Sequence, residues 1–370
     1  MATNDQGNTI LGVTGQSSST TIEATSGETL VMPDGLNPAT ADYAHEGPDL
    51  VLTWPDGSEV IVKDYFMVDP QPDLASSEGA EVSGDLAARL AGSATPGMEA
   101  QAGSDAVAEQ PIGQIEKLVG MVTAIRADGT RVELKLGDQV YQGDILETGV
   151  DGAIGVILAD ETTFSMAEDG RMVLDEMVYD PGTQEGSVSL SVMHGVFTFV
   201  SGQVAKTDPD AMTLNTPVAT IGIRGTQVGL DIRDGQNLEI VLMEEADGFV
   251  GEVVVMNNGG VTVLNGANEF TVVTSFNAAP AETTVIDIQQ MLSIFSSTLR
   301  HLPMSQPNAN DFGLQGEIEV GGLAKIEDPE PEGGAESDPE PEPEPEGNAH
   351  MLIDFDVAPG EETTEEALFE

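Results

Sequence analysis

The sequence has no cysteine. That excludes disulfides, thiolate metal sites and cysteine nucleophiles, and leaves the redox compartment open. Basic residues are nearly as scarce: 12 Lys and Arg stand against 65 Asp and Glu, for a formal net charge of -53. A field of that sign repels nucleic acid and anionic membrane surfaces, so neither is expected as a partner. No window approaches the roughly 18 apolar residues of a spanning helix, and no membrane span is expected. Met1 to Thr20 lack a basic n-region and an apolar h-region, so no Sec signal peptide is expected there.

Chemistry-bearing patterns are equally thin. The four histidines, His45, His194, His301 and His350, fall at no ligand spacing, so no metal is expected. The Asp-Gly pairs lack the alternating oxygen ligands of a calcium loop and are expected to be turns. There is no Gly-x-Ser-x-Gly, no phosphate-binding glycine loop and no Asn-x-Ser/Thr acceptor. Adjacent acids such as Glu244 and Glu245 argue nothing in a chain with 65 carboxylates. No nucleophile is placed beside a base, so the chain is expected to be no enzyme and to take no cofactor.

What the sequence does contain is unevenly spread. Residues 1–45, rich in Ser, Thr, Gly and Asn, are expected as a disordered leader. Residues 46–66 read as a small β-hairpin, with Leu50-Val51-Leu52 and Val60-Ile61-Val62 flanking Pro55-Asp56-Gly57. Residues 67–111 are expected as a linker, with one short helix at Leu86 to Leu90. From 112 to 275, runs of Val, Ile, Leu, Thr and Phe alternate with Gly, Asp and Asn turn signals, which defines an all-β domain with a β-extension. Leu118 to Arg126 and Ser187 to Val200 each read as one strand. Asn258-Gly259 and Asn265-Gly266 read as primed two-residue turns. Eight of the 12 basic residues lie in this stretch. Within 276–303, Ile288, Met291, Leu292, Phe295, Leu299 and Leu302 fall at helical spacing and predict one amphipathic helix that caps the β-domain or mediates self-association. Residues 304–370 form an acidic, Pro/Glu-rich tail expected to be disordered.

One string within the β-stretch is specific. Leu136-Gly137-Asp138-Gln139-Val140-Tyr141-Gln142-Gly143-Asp144 runs on through Thr148-Gly149. Ala153 to Ser165 follows as a strand pair, and Leu190 to Phe199 as a strand. Asn215-Thr216-Pro217 leads through Ile221-Gly222-Ile223 to Arg224-Gly225-Thr226. Over residues 115–232 this order resembles the FecR-domain pattern, departing from it at Glu161-Thr162, where the family usually has Gly-Ser. The resemblance implies a FecR-type β-sandwich or roll, with Gly137, Asp138, Gly143, Asp144, Thr148, Gly149, Thr216, Pro217, Arg224, Gly225 and Thr226 as structural signature residues. Arg224, following an apolar strand, is expected to be partly buried and paired with a carboxylate.

Regulators of iron-uptake sigma factors carry such domains, as do many secreted or surface proteins. The hairpin over Leu50 to Phe66 resembles a prefix found in large type I secreted adhesins. The expected function is therefore a non-catalytic cell-envelope or secreted surface module acting in protein binding or signalling. Its alternative is a soluble regulatory sensor, cytoplasmic or periplasmic, for a protein or small ligand. The sequence names no protein partner and no oligomeric state.

Overall fold

The computed structural model describes residues 19–92, 110–208, 210–245 and 248–303. Residues 19–92 hold seven strands and a short helix: β1 (Ser19–Glu23), β2 (Leu30–Val31), β3 (Asp42–Glu46), β4 (Asp49–Thr53), β5 (Glu59–Lys63), β6 (Leu74–Ala75), β7 (Glu81–Val82) and α1 (Gly84–Leu90). This departs from the sequence reading. Residues 19–45, expected as a disordered leader, contribute β1, β2 and most of β3: β1 lies parallel to β5 and β2 parallel to β6, whereas β3 pairs antiparallel with its neighbour β4. Partners as distant as those of β1 and β2 leave no local periodicity to read. Within 46–66, β4 and β5 pair around Gly57 (φ +82°), and they form the centre of a four-stranded sheet ordered β1-β5-β4-β3.

The expected linker carries β6, β7 and α1 over its described part. The Ser83 hydroxyl caps α1 by accepting from the Leu86 N–H, and the helix buries Leu86, Ala87 and Leu90. These pack with Leu50, Leu52, Trp54, Val60, Val62 and Tyr65, and the same core takes in Ile145, Val173 and Met193 from the following domain. A lone hairpin is marginal in water; the shared core supplies the apolar burial its short strands lack.

The following domain contains β8 (Gly113–Val119), β9 (Val122–Ile125), β10 (Arg131–Glu133), β11 (Gln139–Val140), β12 (Ile145–Thr148), β13 (Ala153–Leu158), β14 (Thr163–Met166), β15 (Arg171–Tyr179) and β16 (Gly186–His194). It continues with β17 (Val196–Val200), α2 (Gln203–Thr207), β18 (Met212–Asn215), β19 (Thr220–Arg224), β20 (Gln227–Asp231), β21 (Leu238–Met243), β22 (Glu252–Asn257), β23 (Gly260–Leu264), β24 (Glu269–Val273), β25 (Thr284–Val285) and α3 (Ile288–His301). The strands form two nine-stranded sheets, ordered β10-β9-β12-β15-β16-β18-β19-β22-β23 and β11-β8-β13-β14-β17-β20-β21-β24-β25. Inward residues of both sheets, including Ile115, Leu146, Phe164, Phe197, Phe199, Ile221 and Leu242, make one buried core. The fold is all-β, a sandwich in which short hairpins cross repeatedly from one sheet to the other.

Each crossing needs a corner, and corners break strands that hydropathy alone runs together. The chain passes between sheets at Gly120 (φ +65°), splitting the expected Leu118–Arg126 strand, and at Gly195 (φ +125°), splitting Ser187–Val200. A Cβ at Gly120 would sit 2.1 Å from the Asp151 carbonyl oxygen. The two Asn-Gly turns also differ from expectation. The Asn257 side chain accepts from the N–H groups of Gly259 and Gly260, and Gly259 serves close approach to Ala279 without a positive φ. After Asn265-Gly266 the left-handed position is Asn268 (φ +62°).

Helix α3 covers the outer face of the second sheet. Phe295 and Met291 are buried against Val241, Met243 and Val196, and the Ser165 hydroxyl donates to the Thr298 carbonyl at 2.8 Å. The N-terminal strands cover part of the first sheet's outer face, around Ile145, Val173 and Met193. Residues 304–370, expected as a tail, lie outside the described residues.

Candidate functional site

The signature residues occupy the corners. Gly137 (φ +86°) and Asp138 lie between β10 and β11, Gly143 (φ +86°) and Asp144 between β11 and β12, and Thr148-Gly149 at the exit from β12. Asp138 accepts from the Lys135 N–H at 2.8 Å, on the surface. Asp144 is 1% exposed, accepts from the Tyr141 N–H at 2.8 Å and pairs with the Arg126 guanidinium, which also stacks over the Tyr141 ring. The buried Thr148 hydroxyl donates to the Ala167 carbonyl at 2.6 Å and accepts from the Gly170 N–H at 2.8 Å, while the Gly149 N–H donates to Met121.

Thr216 closes the β18–β19 turn: its hydroxyl donates to the Ala219 carbonyl at 2.8 Å and accepts from the Ala219 N–H at 3.0 Å. Arg224, Gly225 (φ +60°) and Thr226 form the corner from β19 to β20, where the chain changes sheet. Thr226 is fully buried, with its N–H on the Ser201 hydroxyl at 2.8 Å. The Arg224 guanidinium pairs with Asp210 at 2.7 Å and with Glu252, its cross-strand neighbour, and is 36% exposed. The side chain is thus partly buried and held by two carboxylates. At the family's Gly-Ser position, Glu161 takes φ +70° and the Thr162 hydroxyl bonds Asp160 and the Gly202 N–H, so the turn closes without glycine.

One signature pair reaches beyond a corner. The Pro217 carbonyl accepts from the Glu81 N–H of β7 at 2.7 Å, which ties the N-terminal strands to the β18–β19 turn. Beside this tie lies a groove of about 520 Å³. Ser189, Ser191, Asn215 and Thr216 form its floor; Asp73, Glu81, Ser83, Leu86 and Arg89 form its wall. Arg89 bridges floor and wall through Asp175 at 2.7 Å, and the Ser191 hydroxyl donates to the other Asp175 oxygen at 2.7 Å. Burial pushes the Asp175 carboxyl above its ordinary range, against the opposing pull of Ser191 and Arg89. Burial also raises Glu81, helped by the charge of Asp73. Ser191 is 4% exposed and its proton is engaged by Asp175, so the pair anchors the wall and does not present a nucleophile. The Asn215 amide donates to Ser189 at 3.3 Å and accepts from the Thr220 hydroxyl at 3.3 Å, which sets the floor as a ladder of hydroxyl and amide groups.

Sequence reasoning missed the groove. Arg89, Asp73 and Glu81 fell in the expected linker, and Asp175 was one acid among many. A signal did exist in Ser187-Val188-Ser189-Leu190-Ser191-Val192, whose alternation puts serines on one face of β16 and aliphatics on the other. Among the described residues no group of three or more His, Asp or Glu side chains is arranged to hold a metal.

The fold and groove define a corner-turning β-sandwich with a second β-module docked on one sheet. Residues 144–246 match the family model described as FecR protein, so the chain carries a FecR domain. The match opens at the Asp144 corner and runs past the Arg224 corner. No curated protein matches the chain. Two crystal structures of a candidate anti-sigma factor from Parabacteroides distasonis are similar at 13% and 14% identity, with TM-scores of 0.30 and 0.31; the alignments cover 40% of this chain in each case. This chain thus spans 63% and 62% of the length of those structures. A structure described as a cell surface anchoring domain is 34% identical over 17% of this chain and 82% of its own, with a TM-score of 0.17.

Proposed function

We propose that this chain is a non-catalytic binding or signalling module of the bacterial cell envelope or exterior, which takes a protein partner in the groove between its N-terminal strands and its FecR domain. One observation carries the reading. In a chain of net charge -53, Ser189, Ser191, Asn215 and Thr216 line the groove with uncharged polar groups, and the charge of Asp175 beside them is paired with Arg89. Depletion of charge at a concave surface distinguishes the centre of protein interfaces. On this reading Gly137, Asp138, Gly143, Asp144, Thr148, Gly149, Arg224, Gly225 and Thr226 serve the corners and touch no ligand, whereas Thr216 and Pro217 serve both turn and groove.

The alternative is a soluble regulatory sensor; the groove volume, which suits a small molecule, favours it. Fractionation of the tagged chain in its native host, with and without residues 351–370, separates the two. The envelope reading expects full-length chain on the surface or in the medium and the truncated form retained; both forms in the cytoplasm support the sensor. A photo-crosslinking side chain at Ser189 is expected to give one discrete protein adduct in those cells, and no adduct overturns partner binding in the groove.

A further inference from the structure

Edge strands are ordinarily blunted by shortness or charge, because their free backbone groups template further pairing. Most edges here obey that rule. β11 and β25 are two residues long, β10 carries Arg131 and Glu133, β3 carries Asp42 and Glu46, and β1 ends in Glu23. β23 does not. It is five residues long, Gly260-Val261-Thr262-Val263-Leu264, with no charge and no proline, and among the described residues it pairs with β22 on one side only.

The register shows what that edge offers. A two-residue turn makes Asn257 and Gly260 a hydrogen-bonded pair, and alternation makes Val255 and Thr262 the next one. The N–H and C=O groups of Val261 and Val263 therefore face the open edge. Their side chains are 63% and 41% exposed, and they share the outer face with their partners Met256 and Val254. That face runs on across Thr220 and Gly222 to Asn215 and Thr213, level with the groove floor. The sequence around the strand is acidic: residues 234–299 contain nine Asp and Glu and no Lys or Arg, and the nearest cation across the sheet, Arg224, is already paired with Asp210 and Glu252.

We infer that β23 is a strand-addition site for an extended segment of a partner protein whose residues facing Val261 and Val263 are apolar and whose flanks are basic. Backbone pairing supplies the affinity and the valine strip the register, while the acidic surroundings attract the flanks and repel a second copy of this chain. The inference rests on the reading that the chain works by protein contact, and it specifies a place and a chemistry that the groove does not.

The test uses the full chain and a blocked peptide of alternating Val and Thr with paired lysines at each end. Amide hydrogen exchange is followed residue by residue. At saturation, exchange at Val261 and Val263 is expected to slow at least tenfold, and a glutamate-flanked or proline-interrupted peptide is expected to give no slowing. Val263→Pro removes an outward N–H while leaving the β22 bonds intact, so it abolishes the effect with β22 protection unchanged. If that variant fails to fold, the proline-interrupted peptide on the unmodified chain carries the same comparison. No protection at the edge overturns the inference. Protection at Ser189 and Asn215 alone overturns it while the groove reading stands. Edge protection that depends on chain concentration without peptide, with a dimer in sedimentation, assigns β23 to a second copy and also overturns it.

Discussion

Gly137-Asp138 and Gly143-Asp144 are the same dipeptide in sequence, and replacing each aspartate with alanine tests what the fold makes of them. Asp138 accepts one surface N–H, from Lys135, which water can satisfy once the carboxylate is gone. Asp138→Ala is expected to destabilise by about 0.5–1 kcal/mol, the ordinary net worth of such a bond. Asp144 is 1% exposed and holds both the Tyr141 N–H and the Arg126 guanidinium, itself only 21% exposed. Removing one partner of a buried pair costs about 3–5 kcal/mol. The partial exposure of Arg126 and its position 4.8 Å from the Tyr141 ring centre place the loss near the lower end, about 3 kcal/mol for Asp144→Ala. Asp144→Asn keeps an acceptor for Tyr141 and is expected to lose about half of that, ~1.5 kcal/mol. Urea unfolding followed by circular dichroism reads the midpoints at a common m-value. Equal midpoint shifts for the two alanine variants would refute the claim that burial and the Arg126 pair separate these corners.

Three further outcomes are expected. Trp54, the single tryptophan, is 6% exposed in the N-terminal module. Its emission should change at the same denaturant concentration as the β-sheet signal, because the two modules share a core through Ile145, Val173 and Met193, and an earlier Trp54 transition would deny that coupling. Arg224→Ala should lower the Tm by an amount that shrinks with added salt, since Asp210 and part of the guanidinium are solvated; an unchanged Tm, or a salt-independent drop, would remove the ion-pair latch at the β19–β20 corner. Asp175 has its folded-state pKa raised by burial, so the stability it contributes is complete below the ordinary carboxylate pKa and is lost as pH rises through the folded value. Asp175→Asn is therefore expected to match or exceed the parent at neutral pH, with the gap closing toward about pH 4. A variant that is less stable at neutral pH, by a margin that vanishes as pH falls and Asp175 is protonated, would show that the Arg89 charge pair outweighs burial.

The sequence by itself determined that the ordered chain is β-built, because period-2 alternation and turn residues act between neighbours: β13, β14 and β18 begin and end where hydropathy and turn chemistry place them. It also marked the corners, since Gly225 and Thr226 are required by a local change of backbone direction. Only the tertiary structure decided that Ser19–Glu23 and Leu30–Val31 are strands, because β1 and β2 are held by β5 and β6 from far along the chain. Only it placed Arg89 of the expected linker on Asp175 to wall the groove, and only it told Asp144 from Asp138. Burial, and the pairing of residues distant in sequence, are properties of where the sheets come together, and no local window of residues records them.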